Sequence, residues 1–422
     1  TNRRDDISTT IQAAMASSFN AYARDALGYD EYNPLSKRGT NTFGGKGLTV
    51  VDALDTLYLM GLEDAYRTAR QYVLDTFHFD GEINVFETNI RILGGLLSIY
   101  GLTHDAMYLE KAKKVGEVLL KAFKNNNPLP CGVIHTDRPN ACGFPPWAGG
   151  HKAVNAEVGT LSLEFKTLSH YTKDPRWSDA LDGIQRYWQD HMDGTPLYPL
   201  FVDIDSKRMS GRVTVGGGVD STYEYFLKLH LLNGDDASKT LYDYYEKNIV
   251  DRLVKTSGTY TYVKEGGSDK MDHLACFVGG MLILGKRYVD EGLRITDTCA
   301  RMYTENPSGI ACDGVRFSNG KMHCNSDVWL QRPEVIESIF YAWRQTHDEK
   351  WRGYARRMWA SIEKHSKVAT GGYADLRGVS GATPQQTDKQ ERCFLVETLI
   401  YIRFSLQDAV FLTLDYEGLR SA

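Results

Sequence analysis

The chain has 422 residues, too many for one ordinary sheet or sandwich core, so it holds two or three domains or one large repetitive domain. A net charge of −5 leaves no basic footprint for nucleic acid, and no stretch reaches the ~20 apolar residues that span a bilayer. Aromatic residues make up 11%, a composition that serves sugar-binding clefts and large helical cores alike, so it does not choose between them.

No charged leader with an apolar core precedes the first helical stretch, and the chain opens at Thr1, which reads as a processed or trimmed form. Apolar residues recur at i, i+3, i+4 and i+7 in residues 48–60, 90–100, 158–171, 221–232, 274–284, 333–344 and 394–406. Helix therefore dominates. Extended segments are short, as in 208–215 and 258–263. A repeat lies between the helical windows. Thr103-His104-Asp105 precedes Tyr108 and Ala112, Thr172-Lys173-Asp174 precedes Trp177 and Ala180, and Thr346-His347-Asp348 precedes Trp351 and Ala355. Each predicts a turn in which Asp or Thr caps the second helix and the aromatic packs back on the first. Gly61 to Asp64 and Gly234 to Asp236 are looser copies. Recurring hairpins of this kind close into an α/α toroid, with an open helical solenoid as the alternative. No Ser/Gly linker or charge run divides the chain, so one domain is expected over residues 1–422.

Seven cysteines point to disulfides if the compartment is oxidising. Cys131 and Cys142 flank a Pro/Gly-rich loop, Cys312 and Cys324 flank a turn-rich segment, and Cys276 and Cys299 lie on successive helical stretches. Three local bridges would leave Cys393 single; seven reduced thiols are the other reading. There is no Asn-X-Ser/Thr acceptor, because Asn306-Pro307-Ser308 carries proline.

Acidic residues stand in otherwise apolar surroundings at Glu87, Glu157, Asp220, Asp272 (with His273), Glu334, Glu337 and Glu397. For any one of them, a first-turn position stabilised by free backbone N–H groups, or a partner such as Arg91 or Arg332, is explanation enough. Acids at equivalent ends of six successive inner helices need more, since burying carboxylates together costs free energy unless a metal or a polyhydroxylated ligand compensates. Glycoside hydrolysis uses such a set: one acid protonates the leaving oxygen and another activates water. Gly216-Gly217-Gly218 lacks the Gly-Lys-Ser/Thr of a phosphate loop, the histidines lack zinc spacing, and no Gly-X-Ser-X-Gly elbow occurs. The residues alone describe a toroidal carbohydrate-active enzyme.

The ordered segments GYDEYNPLSKRGTNTFGGKGLTVVDALDTLYLMGL, FETNIRILGGLLSIYGLT, NAEVGTLSLEFKTLSHYTKDPRW, VDSTYEYFLK, DHLACFVGGM, RPEVIESIFYAWRQTHD and FLVETLIYI resemble glycoside hydrolase family 47, the class I α-mannosidases, over nearly the whole chain. The resemblance implies an all-α fold, an (α/α)7 barrel of helical hairpins with a small β-hairpin plug. It implies an inverting, calcium-dependent exo-α-1,2-mannosidase that trims terminal mannose from high-mannose N-glycans. The chain would act as a monomer, in the Golgi or endoplasmic reticulum lumen or outside the cell. Glu87 matches the general acid, acting through a water, and Glu334 the general base. Asp220 matches a third essential carboxylate. Arg91, Glu157, Asp272, His273, Arg332, Glu337 and Glu397 match residues lining the sugar and metal pocket, Thr413 matches the Ca²⁺ ligand, and Cys276 with Cys299 match the family disulfide. Three positions depart from the pattern. Leu414 replaces the acid after Thr413, with Asp415 next in line. Cys393 replaces an aromatic beneath the sugar. Gly218 stands where enzymes restricted to one branch carry arginine, which resembles members that trim several branches. The altered residues motivate an alternative, a non-catalytic high-mannose glycan-binding quality-control protein. A sugar epimerase on a related toroid is the third reading.

Overall fold

The Thr-x-Asp segments form the predicted corners. In each, the threonine hydroxyl donates to the carbonyl four residues back, at 2.7 Å for Thr103, 2.7 Å for Thr172 and 2.8 Å for Thr346. The middle residue (His104, Lys173 or His347) turns left-handed with φ of 54°, 58° and 52°. The aspartate then accepts the N–H two residues on, at 3.1 Å for Asp105, 3.1 Å for Asp174 and 2.9 Å for Asp348, which satisfies a donor the new helix leaves open. Tyr108, Trp177 and Trp351 are buried behind these corners. Local chemistry thus reverses the chain three times in the same way.

The structure is a computed structural model that describes residues 2–406 apart from 125, 126 and 139. The described residues divide into two compact units, residues 73–252 and residues 2–72 with 253–406. In the first, Gly94–Thr103 pairs with Ala106–Leu119 and Ser162–Thr172 with Arg176–Met192, and Asp220–Asn233 precedes Asp236–Leu253. In the second, Phe277–Gly285 pairs with Val289–Thr304, Glu334–Thr346 with Glu349–His365, and Leu399–Leu406 with Asn2–Ala26. Leu48–Asp52 and Leu54–Leu59 precede Glu63–Asp75. The fold is all-α, of the (α/α)7 toroid class, with small β elements. Phe277–Gly285 is apolar on every face and buried from Phe277 to Ile283, as an interior helix must be. Glycine lets its neighbours close in: a Cβ at Gly280 would lie 2.8 Å from the Tyr341 ring.

Short strands aim the starts of the acid-bearing segments. Glu82–Asn84 pairs with Val133–His135 and leads into Glu87. Lys152–Val154 pairs with Pro199–Asp203 and leads into Glu157; the same sheet continues to Met209–Val213, upstream of Asp220. Lys270–Asp272 pairs with Gly314–Ser318 and leads into His273, and Val328–Trp329 pairs with Leu376–Arg377 ahead of Glu334. The expected extended segments 208–215 and 258–263 form strands at Met209–Val213 and Tyr260–Val263.

Two helical windows differ from the simple 3.6-residue reading. Thr88–Leu93 and Phe394–Thr398 are π-helical before each becomes α-helical. The extra residue per turn in these segments resets the faces of Arg91 and Glu397, and such widened turns gather at functional sites. Three disulfides close: Cys131–Cys142, Cys276–Cys299 and Cys312–Cys324, with Cα separations of 5.3, 6.0 and 5.7 Å. Cys393 is the free thiol.

Candidate active site

In the unit of residues 73–252, a cleft of about 390 Å³ is lined by Glu87, Glu157 and Asp220, with Asn84, Trp147 and Arg212 among its other walls. That volume falls in the ordinary range for a small-molecule site. Asn84 caps the turn that carries Glu87, accepting the Glu87 N–H at 2.9 Å. Arg91, one helical turn on, donates through Nε to Glu87 Oε2 at 2.6 Å. Glu157 folds back to accept the Val154 N–H at 3.1 Å. Burial, with the charge of Glu87 adding to it, pushes the Glu157 carboxyl up to about 7, although the Val154 N–H acts the other way. Asp220 opens its helix and accepts the Ser221 N–H at 2.8 Å. Arg91 binds one oxygen of Glu87, while the neighbouring Glu157 keeps its proton to near neutrality. The cleft therefore has one carboxyl paired with arginine and another that burial pushes toward its protonated form.

In the unit of residues 2–72 and 253–406, Glu334 opens its helix and its Oε2 lies 3.2 Å from His273 Nδ1. His273 is 1% exposed. Its Nε2 lies 2.9 Å from the Tyr303 hydroxyl, which also receives the Trp329 indole N–H at 2.9 Å. Indole nitrogen can only donate, so the phenol oxygen accepts there. A carboxylate can only accept, so the Nδ1 that faces Glu334 directs its proton at it. The neighbouring Arg332 donates to Asp313 at 2.9 Å. Burial opposes the charge of Arg332, and Asp313 and Glu334 hold its pKa raised. Asp313 also accepts the His273 N–H through its backbone carbonyl at 2.8 Å. Glu337 accepts from the Tyr401 hydroxyl at 3.4 Å, Glu397 lies in the second π-helical segment, and Asp272 ends its strand opposite Gly314. The thiol of Cys393 is 3.9 Å from the Gln331 carbonyl oxygen.

Glycosyl hydrolase family 47 matches residues 14–416. The chain belongs to this family. It is 36% identical to mannosyl-oligosaccharide α-1,2-mannosidase IA of Drosophila melanogaster over 96% of this chain and 65% of that protein. It is 34% identical to mannosyl-oligosaccharide 1,2-α-mannosidase MNS1 of Arabidopsis thaliana over 96% of this chain and 76% of that one. The chain thus spans about two-thirds of the fly protein's length. Among solved structures, the α-1,2-mannosidase from Trichoderma reesei superposes with a TM-score of 0.88 at 25% identity, covering 96% of this chain and 94% of that one.

The family 47 chain keeps Glu87, Arg91, Glu157 and Asp220 together in the first unit, and bonds His273 to Glu334 in the second. Thr413, with Leu414 and Asp415, lies outside the described residues. Among the described residues, one group of three potential metal-ligating side chains has ligand atoms within 4.8 Å of one another, Cys312, Cys324 and Asp327. Its two sulfurs are bonded to each other and offer no thiolate. Three disulfides mark a protein of the oxidising secretory pathway. Four further residues serve the site without having stood out in the sequence. Asp313, Tyr303 and Trp329 act on Arg332 and His273 from distant segments. Glu164, buried, accepts from Asn89 and Tyr225 at 2.7 Å each beside the helix of Arg91, and burial pushes its carboxyl up to about 7. Glu164 stands in the NAEVGTLSLEF block, where a second acid on an apolar helix face was the available signal.

Proposed function

We propose that the chain is a calcium-dependent exo-α-1,2-mannosidase that hydrolyses terminal α-1,2-linked mannose of high-mannose N-glycans with inversion. The observation that carries this reading is the cleft of Glu87, Glu157 and Asp220, in which Arg91 pairs with Glu87 and burial pushes the Glu157 carboxyl up. The reading takes residues 1–422 as one catalytic domain that acts as a monomer. Glu87, in its protonated form, serves as general acid through a water, and Asp220 is the third carboxylate of the reaction. Glu334 is the general base. An Nδ1–H from His273 fixes one Glu334 oxygen and leaves the other to accept a proton from the attacking water. Arg91, Asp272, Arg332, Glu337 and Glu397 bind the sugar.

Calcium takes hard oxygen donors, and the acids proposed here are of that kind. The one Cys/Asp group among the described residues offers no competing thiolate cage, since its cysteines are bonded to each other. Thr413 would hold the ion, with Glu337 and Glu397 orienting its waters. When bound, the ion supplies a cation for vicinal sugar hydroxyls.

Proton NMR of a reaction on Manα1,2Man tests the proposal. Mannose is expected to appear first as the β anomer, its release stopped by EDTA and restored by Ca²⁺. First release as the α anomer would overturn inversion, and rates indifferent to chelator would overturn the calcium assignment. Binding of the glycan without any mannose release would select the non-catalytic reading.

A further inference from the structure

Trp147 is 67% exposed, the most exposed of the large apolar side chains among the described residues. Leaving an indole in water forgoes much of the ~1.5–3 kcal/mol that burying a large apolar side chain contributes, so its position calls for a reason beyond folding. Its loop is held on several sides. Cys131–Cys142 closes one end, and Val133 and Gly143 exchange backbone hydrogen bonds of 2.9 and 2.8 Å. Phe144 stacks on His151 at 5.6 Å, and Pro146–Ala148 forms a 3₁₀ turn. The Trp147 ring rests on Phe201 with centroids 5.6 Å apart. Phe201 in turn lies opposite Val154 in the sheet that leads to Glu157. A well-anchored flat ring therefore faces the same cleft as Glu87, Glu157 and Asp220.

The lining identifies the ligand class. Three carboxylates against the Arg212 guanidinium disfavour an anion, and the polar walls disfavour a purely apolar ligand. A neutral pyranose has a C–H face for the indole and hydroxyls for Asn84 and Arg212. The cleft wall is also closely packed at glycine: Gly218 has φ +94°, and a Cβ there would lie 3.0 Å from Val154 and closer still to Leu200. Any larger residue at 218 would be strained and would crowd this wall.

We propose that Trp147, backed by Phe201, is a sugar-stacking platform for the mannose residues on the leaving-group side of the scissile linkage. This assignment rests on the mannosidase reading above and adds where the rest of the glycan binds. The experiment compares wild type with Trp147→Ala and Trp147→Phe on a nine-mannose glycan and on Manα1,2Man. For Trp147→Ala, KM on the glycan is expected to rise about tenfold, the order of one aromatic stacking contact, with kcat falling by a smaller factor. The rise should be smaller on the disaccharide, and Trp147→Phe should recover most of the loss. An unchanged KM in Trp147→Ala, with mannose release intact in both proteins, would overturn the platform. If wild type releases no mannose, the mannosidase reading fails and tryptophan fluorescence decides the platform separately. A shift on titration with the nine-mannose glycan that is lost in Trp147→Phe supports it, and no shift in wild type, or one kept in Trp147→Phe, overturns it.

Discussion

Glu157 and Glu334 are both carboxylates near the start of a helix entered from a short strand, yet their surroundings differ. Glu157 is flanked by another acid, and burial favours its neutral form. Glu334 is met by a histidine N–H whose ring is held from behind by the Tyr303 hydroxyl and, through it, the Trp329 indole. The same residue type, placed by the same kind of backbone, thus becomes a proton holder in one unit and a hydrogen-bonded acceptor in the other. The sheets and helix starts bring the acids into position, while the second layer of partners differentiates their chemistry.

The largest effect should come from removing the acceptor. Glu334→Gln keeps the size of the side chain and a carbonyl oxygen for His273 but cannot take a proton from water. Turnover on Manα1,2Man is expected to fall by about 10²- to 10⁴-fold, the usual worth of a general base, with glycan affinity by calorimetry largely kept. Wild-type turnover in this variant would mean that a carboxylate facing a fixed donor is not the base, and the contrast between the two units would lose its functional meaning.

A smaller change sharpens the contrast. Tyr303→Phe removes one hydroxyl, leaving the Trp329 indole and His273 Nε2 without their buried partner. The expected cost is about 1–3 kcal/mol in urea unfolding. A merely structural role would stop there. As a positioning residue for Glu334, Tyr303 should also affect kcat, by about tenfold, while KM stays close to wild type. A loss of stability with unchanged kcat would remove the chain from Trp329 to Glu334 from the mechanism.

Much of this could be read in the sequence where the physics is local. The Thr-x-Asp corners depend on residues within a few positions of one another, so the hairpins and their capping aspartates were predictable, as were acids at helix starts such as Asp220 and Glu334. The π-helical turns at Thr88–Leu93 and Phe394–Thr398 were not, because one added residue barely alters an apolar pattern over a short window. Tyr303 and Trp329 were illegible for a different reason. Both are aromatics whose apolar bodies belong to the core, and their roles arise from polar tips: the Tyr303 hydroxyl meets a histidine 30 positions away, and the Trp329 indole meets that hydroxyl from 26 positions away. Trp147 sits in a Pro/Gly-rich loop with no periodicity, so only the folded chain shows which cleft it faces. Thr413 and its altered neighbours lie outside the described residues.

The smallest effect tests the proton-holding side through pH. Glu157 in the folded chain titrates at about 7, against 4.5 for an unperturbed glutamate. The folded state binds this proton more tightly than the unfolded state. Its contribution to stability is therefore complete below about pH 4.5 and is lost as pH rises through about 7. Glu157→Gln has no proton to lose and retains an oxygen for the Val154 N–H. Between pH 5 and 8 the unfolding free energy of the variant should thus fall less than that of wild type, by about 1–2 kcal/mol once screening by solvent in the cleft is allowed for. Glu164 and Asp375, raised by burial to about 7 and about 8, produce losses of the same sign. Both remain in the variant, so the difference between the two urea-denaturation series isolates Glu157. If the two curves run parallel across this range, Glu157 is not the group holding the proton, and the distinction between the two carboxylates must lie elsewhere.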